Sequence, residues 1–274
     1  MFLLEAIALV LIAFGAGVIS AVIGVGGGFL VVPILVLVFG LSSHQAVGTS
    51  LVMIIFTALS STFAYAWQRR IDYKAGLALT LGTVPGDIIG AYITKFITAK
   101  GLASLFGVFL IIVAIRMIMT SGKEEETSEN PATGTRGWHR KLVDSRGISF
   151  EYMANMRFGV VLSFLGGFTS GFFGVGGGAV MVPVMALGVG IPIHVAVATS
   201  MFIMIFTSIS GTAIHLVLGH ILFEYAACLI IGIIGGTQLG ALVARKLKAK
   251  TLRRVFGISL IVIGLRMALE YVVP

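Results

Sequence analysis

Charge is scarce in this sequence. Of its 274 residues only 11% are charged, 58% are hydrophobic, and the mean hydropathy is +1.07. A soluble domain of ordinary composition carries about a quarter of its residues charged, so most of this chain is expected to sit in lipid. Cysteine is almost missing: Cys228 stands alone within an apolar segment, which excludes an internal disulfide or a cysteine metal cluster and leaves packing as its role. There is no Walker-type glycine-lysine loop, so ATP hydrolysis by this chain is not indicated. His44, His194, His215 and Asp87 fall in no recognised ligand or triad spacing. No catalytic residue, metal or cofactor is therefore expected. The net charge of +8 comes from Lys and Arg confined to loops, with no basic helix face, and so points to membrane topology and not to nucleic acid.

What the sequence has instead is long apolar runs. Segments such as 101–119 and 225–243 reach the ~20 apolar residues that a bilayer core requires. The first twenty residues carry Glu5, no Lys or Arg and no processing-site ending, and read as a retained helix. Adding 150 to a position in the first half lands on an equivalent residue in the second. The run 24–28 (Gly-Val-Gly-Gly-Gly) recurs at 174–178, Pro33 as Pro183, His44 as His194, Thr49-Ser50 as Thr199-Ser200, and Phe56-Thr57 as Phe206-Thr207. Gly82, Gly86 and Gly90 recur as Gly232, Gly236 and Gly240, and Arg116 as Arg266.

Each unit reads as a long helix, a glycine break, a short apolar piece and three more long helices. The segments are expected near 3–23, 29–41, 44–66, 73–94 and 101–119, then 154–173, 179–190, 194–218, 222–244 and 251–272. The resulting fold class is an all-α polytopic membrane protein with repeats at 1–120 and 154–274. Between them, 121–153 is polar, shows no apolar period and reads as a solvent-exposed cytoplasmic linker, partly disordered.

Equivalent loops carry opposite charge signals. Arg69, Arg70 and Lys74 correspond to a loop around Gly219 and His220 without Lys or Arg, whereas Lys95 and Lys100 correspond to the strongly basic 245–254 run. The positive-inside rule then favours inverted units, with the 69–74 loop, the linker and the 245–254 loop in the cytoplasm and both termini outside. Inversion requires the first two segments of each unit to act as a hairpin, by crossing fully or by dipping back.

A short piece such as 29–41 cannot span ~30 Å of hydrocarbon without tilt or thinning, and the glycines before it favour non-helical backbone that lipid tolerates only inside protein or along a watery cavity. Paired breaks in inverted halves are the sequence pointer to a transporter's substrate site, and free N–H groups at a helix start suit an anion. The candidate substrate residues are Gly26, Gly27, Gly28, Thr49, Ser50 and Thr57, with Gly176, Gly177, Gly178, Thr199, Ser200 and Thr207. The competing reading for the hydroxyls is bonding to their own helix carbonyls. Asp87, the one acid clearly inside a spanning segment, is a candidate carrier of a coupling proton, or else satisfies backbone groups freed by Pro85. Gln238, His44 and His194 are polar candidates, the histidines equally readable as interfacial caps. The glycine rows read as close helix packing, and Arg116 and Arg266 as interfacial anchors.

The doubled Gly-Val-Gly-Gly-Gly followed by Val-Pro, then Ala-Val-Gly-Thr-Ser or Ala-Val-Ala-Thr-Ser, resembles the sulfite exporter (TauE/SafE) family over both units. The resemblance implies a prokaryotic inner-membrane permease for sulfite, sulfoacetate or related sulfur anions, with the lipid bilayer and a small anion as partners and a homo-oligomer compatible with it. An anion channel is the nearest alternative. An intramembrane enzyme would need a nucleophile or metal set, and a membrane scaffold would not need paired helix breaks.

Overall fold

The computed structural model describes residues 3–98 and 137–243, scattered positions between 101 and 115, and residues 261 and 265. The expectations for most of 101–119, for 121–136, for the basic run 245–254, for 251–272 and for Arg116 and Arg266 lie outside the described residues. Eight α-helices order the rest: α1 Leu3–Ile23, α2 Gly28–Leu37, α3 Ser43–Trp67, α4 Tyr73–Ile93, α5 Met156–Phe173, α6 Gly178–Pro183, α7 Ile193–Val217 and α8 Phe223–Val243. A π-helical stretch, Val184–Val189, continues α6. Six of these helices, all but α2 and α6, are long and apolar enough to cross a membrane.

Local chemistry sets the helix starts. Ser42 caps α3 in a reciprocal pair with Gln45, Asp72 caps α4 through the Ala75 N–H, and Asn155 caps α5 through the Phe158 N–H. The half-helices start differently. Gly27 and Gly177 precede them with φ of 82° and 75°, a left-handed backbone that a side chain would strain, and neither offers a side-chain cap.

Close contacts fix the helix directions. A Cβ on Gly232, Gly236 or Gly240 would lie 2.1, 2.1 and 2.4 Å from the carbonyl oxygens of Val10, Phe14 and Val18, so α8 runs parallel to α1 at backbone contact. Gly82, Gly86 and Gly90 meet Val160, Phe164 and Phe168 at 2.2 Å in the same way, pairing α4 with α5. Ser60 meets Gln238 and Gln68 meets Ala241, which sets α3 parallel to α8; Asp72 meets Thr199 and Ser210 meets Asp87, which sets α7 parallel to α4. Leu51 lies against Gly211, while Ile54 and Met204 both flank Gly176, so α3 and α7 run antiparallel. Thus α1, α3 and α8 point one way and α4, α5 and α7 the other. The order along the first unit is up, up, down, and along the second it is down, down, up.

The described part of the linker differs from the expectation of an exposed stretch without regular structure. Trp138–Val143 (β1) and Ser149–Ala154 (β2) form an antiparallel hairpin, with Tyr152 and Ala154 buried. It docks at the end of the bundle where α3 meets α4. Arg70 pairs with Asp144 at 2.9 Å, Arg140 with Asp72 at 2.6 Å, and the Tyr152 hydroxyl donates to Asp72 at 2.7 Å. The apolar core lies between α1, α2, α3 and α7 around the two breaks.

Candidate substrate site at the glycine crossing

The two glycine breaks pass one another at the centre of the bundle. A Cβ on Gly28 would lie 2.1 Å from the Gly174 carbonyl oxygen and one on Gly178 2.2 Å from that of Gly24, while Gly26 abuts Val175. Gly24 thus faces Gly178 and Gly28 faces Gly174: two antiparallel stretches at backbone contact, every residue buried. Leu30 and Val31 return their N–H groups to the Gly27 carbonyl, and Val180 and Met181 theirs to Gly177. Among the described residues, the N–H groups of Gly26 to Gly28 and Gly176 to Gly178 find no backbone acceptor, as the first turn of a helix leaves them.

Polar side chains gather on either side of this crossing in pairs related by the 150-residue repeat. Ser20 packs beside Gly27 and Ser170 beside Gly177, their Cβ atoms 3.5 and 3.3 Å from where a Cβ would stand on each glycine. Both serines are fully buried, and among the described residues neither hydroxyl makes a hydrogen bond of good geometry. Beyond Ser170, Ser210 donates to Asp87 Oδ2 at 2.7 Å, and among the described residues Oδ1 of the same buried carboxylate has no hydrogen bond of good geometry. Beyond Ser20, the equivalent pair is Ser60 and Thr237, 2.8 Å apart, with Gln238 Nε2 also donating to Ser60 Oγ at 2.8 Å.

The other sequence candidates divide. Ser50 and Ser200 each lie 2.8 Å from a carbonyl in their own helix and 2.9 Å from a carbonyl of the opposite break, Gly174 and Gly24 respectively. They clasp the crossing. Thr49 accepts from the Leu222 N–H and Thr199 from the Asp72 N–H, both at 3.0 Å, so each holds the loop before a long helix of the other unit. Thr57 and Thr207 bond their own helix carbonyls at Met53 and Met204. His44 lies 3.0 Å from the Thr94 carbonyl at the bundle end opposite the hairpin, and His194 is exposed near Phe150.

Sequence reasoning did not single out Ser20, Ser170, Ser60 or Ser210, although all four obey the repeat. Their signal was the polar residue recurring on an apolar helix at the turn that faces the break. It also missed a histidine cluster: His215 Nδ1 and His220 Nδ1 are 3.0 Å apart, and the His44 ring stands 5.0 Å from that of His220.

A family model described as "Sulfite exporter TauE/SafE" matches residues 9–267. The chain belongs to that family. A Bacillus subtilis relative named "Probable membrane transporter protein YunE" is 38% identical over 96% of this chain and 97% of its own length. A Methanocaldococcus jannaschii relative, "Probable membrane transporter protein MJ0441", is 30% identical over 98% of this chain and 97% of its own. A Xylella fastidiosa relative named "Probable membrane transporter protein" is 29% identical over 93% of this chain and 90% of its own. No solved structure matches the chain. The TauE/SafE chain is a multi-pass protein of a membrane transporter family, its expected helical spans standing as six long apolar helices among the described residues.

Proposed function

We propose that this TauE/SafE protein is a secondary transporter that carries a small sulfur-containing anion, such as sulfite or an organosulfonate, across the cytoplasmic membrane by alternating access. The observation that carries this reading is the buried crossing of the two glycine breaks, where, among the described residues, N–H groups without backbone acceptors and the Ser20 and Ser170 hydroxyls without well-aligned partners converge from both repeats. Buried donors without acceptors are costly, and an oxyanion supplies acceptors without protons. Both breaks are closed to solvent in this conformation, so an anion reaches them only when helices part, first on one side and then on the other. Inverted halves make the two openings structurally equivalent.

The test is thermal stability of the purified protein in detergent with sulfite, sulfoacetate, sulfate, thiosulfate, taurine, acetate or chloride. A ligand held by the folded state raises stability, by about 2.7 kcal/mol at a hundredfold excess over Kd. A selective rise with one sulfur anion, lost in Ser20→Ala and Ser170→Ala, is expected. No rise with any anion sinks the reading, and conduction without saturation or counterflow replaces the carrier by a channel.

A further inference from the structure

The two halves are built alike around the crossing but are not titrated alike. In one half Tyr65 donates its hydroxyl proton to the Ala21 carbonyl; at the equivalent place His215 Nε2 lies 3.1 Å from the Gly171 carbonyl. In one half Thr237 meets Ser60; at the equivalent place Asp87 meets Ser210. Arg70, paired with Asp144, stands where the other half has His220. Equivalent positions are therefore held by a phenol, a threonine and a paired guanidinium on one side and by an imidazole, a carboxylate and a second imidazole on the other. Packing alone gives no reason for the difference, since Tyr65 and Thr237 fill the equivalent places.

From this asymmetry we propose that Asp87 binds a coupling proton, delivered from the bundle end opposite the hairpin through His220 and His215. The inference rests on the anion-transport reading for its purpose, not for its geometry. Gly171 O only accepts, so Nε2 of neutral His215 carries its proton, and Nδ1 of His215 accepts from Nδ1 of His220. A proton from water converts this neutral pair to an imidazolium. Once the His220 Nδ1 proton has moved to His215 Nδ1, the His215 imidazolium turns from the Gly171 carbonyl and releases its Nε2 proton to Asp87, which forms a carboxylic O–H at Oδ1 and leaves both imidazoles neutral, His215 protonated on Nδ1 and His220 on Nε2.

His215 and Gly211 are four residues apart on α7, one turn or roughly 5–6 Å, and a Cβ on Gly211 would lie 2.8 and 3.2 Å from the two Asp87 carboxylate oxygens. Ser170 stands close to the same carboxylate without a well-aligned hydrogen bond to it. Around Asp87, α5 and α3 contribute no charged or titratable side chain at its depth, and α7 contributes His215; His220 and His44 lie beyond it, and Lys74 and Asp72 stand at the far start of α4. Burial and the neighbouring His44 hold His220 below the ordinary imidazole range, so its charged form is not a resting state near neutral pH. An ionised Asp87, beyond Ser170 from the N–H groups of Gly176 to Gly178, repels an anion there; a protonated one does not. Proton and anion thus bind together.

Infrared difference spectroscopy of the purified protein, titrated between about pH 5 and pH 9 without any anion, reads the proton directly. The expected result is a protonated carboxyl band absent from Asp87→Asn and from Asp87→Thr, the second copying the other half. On transfer to heavy water the band shifts promptly in the natural protein and at least about tenfold more slowly in His215→Tyr, an added barrier of ~1.4 kcal/mol. A band that survives both Asp87 variants, or His215→Tyr exchanging as fast as the natural protein, overturns the proposal. Sulfoacetate uptake into proteoliposomes under an inward proton gradient tests the coupling separately. Absence of any sulfoacetate transport or binding counts against the anion reading and leaves the infrared result standing; gradient-driven accumulation by Asp87→Asn overturns the coupling.

Discussion

At the scale of single residues, the crossing separates two reasons for needing glycine. Gly28 has an ordinary backbone conformation but no room: its Cβ would lie 2.1 Å from the Gly174 carbonyl oxygen, and backbone cannot step aside as a side-chain tip can. Gly27 is the reverse case, with a φ of 82° and nothing nearer than 3.5 Å to its Cβ position. Left-handed strain costs about 1–2 kcal/mol, whereas forcing two break segments apart in a packed core costs roughly 1–3 kcal/mol or more and separates the halves. Thermal denaturation in detergent should therefore show Gly28→Ala, and its mirror Gly178→Ala, less stable than Gly27→Ala. The reverse order would mean that the breaks are not in contact. Ser50 and Ser200 add to the same closure, each reaching a carbonyl of the opposite break at 2.9 Å, so Ser50→Ala is expected to cost about 1 kcal/mol in the same measurement.

At the scale of elements, the long helices were legible because each is a sustained apolar run ended by polar or glycine residues, and the helical starts at Ser42 and Asp72 carry side chains that cap them. The hairpin was not legible as structure because hydropathy does not register its buried face. That face is made of Phe150, Tyr152 and Ala154 on one strand and of Arg140 reaching Asp72 from the other, an alternation in which a charged residue takes an inward position. The glycine breaks were visible as composition, and Ser50 and Ser200 as repeated hydroxyls. That these serines and Thr49 and Thr199 bond protein groups across the repeat depends on which way each helix face turns, and that follows only from packing.

The hairpin also has a pH signature. Burial by itself raises the Asp72 carboxyl, but hydrogen bonds from Arg140, Tyr152 and the Ala75 N–H outweigh it and hold Asp72 below the ordinary carboxylate range. A depressed folded value means that docking is stabilised at all pH above the unfolded carboxylate value of about 3.9 and loses that stabilisation as pH falls through the depressed one. Asp144, pushed up by burial but held down by Arg70 and the N–H groups of Arg146 and Ile148, titrates in the same direction. Hydrogen exchange at the strand amides, corrected for intrinsic rate, should stay slow from neutral pH to about pH 4 and quicken below it. Arg140→Ala should quicken it already at neutral pH, by the equivalent of about 1.5–3 kcal/mol. Strands that stay protected in acid would show that the ion pairs do not hold the hairpin.

At the scale of the whole molecule, the parts that belong together in space are not the parts that belong together in sequence. Glycine rows bring α8 to backbone contact with α1, and α5 with α4, so each close pair takes one helix from each repeat. Adding α3 to the first pair, through Ser60 with Thr237 and Gln238, and α7 to the second, through Asp87 with Ser210, yields two bodies of three parallel helices. They face each other along α3 and α7 and share the glycine crossing. Helices joined at backbone contact cannot slide without large overlap, whereas the α3 and α7 interface is made by side chains such as Leu51 and Met204 that can change partners. Under the proposed alternating access, one body would rock on the other with the crossing as pivot. In a Cys228→Ser background, a disulfide between cysteines at Ser60 and Thr237, whose hydroxyl oxygens are 2.8 Å apart, lies within one body and should leave anion uptake into proteoliposomes intact. A disulfide between cysteines at Leu51 and Gly211 joins the two bodies and should stop uptake until a reductant restores it to the level of the same variant never oxidised. If the first bond blocks transport and the second does not, the moving boundary runs between the sequence repeats and not between these mixed triplets.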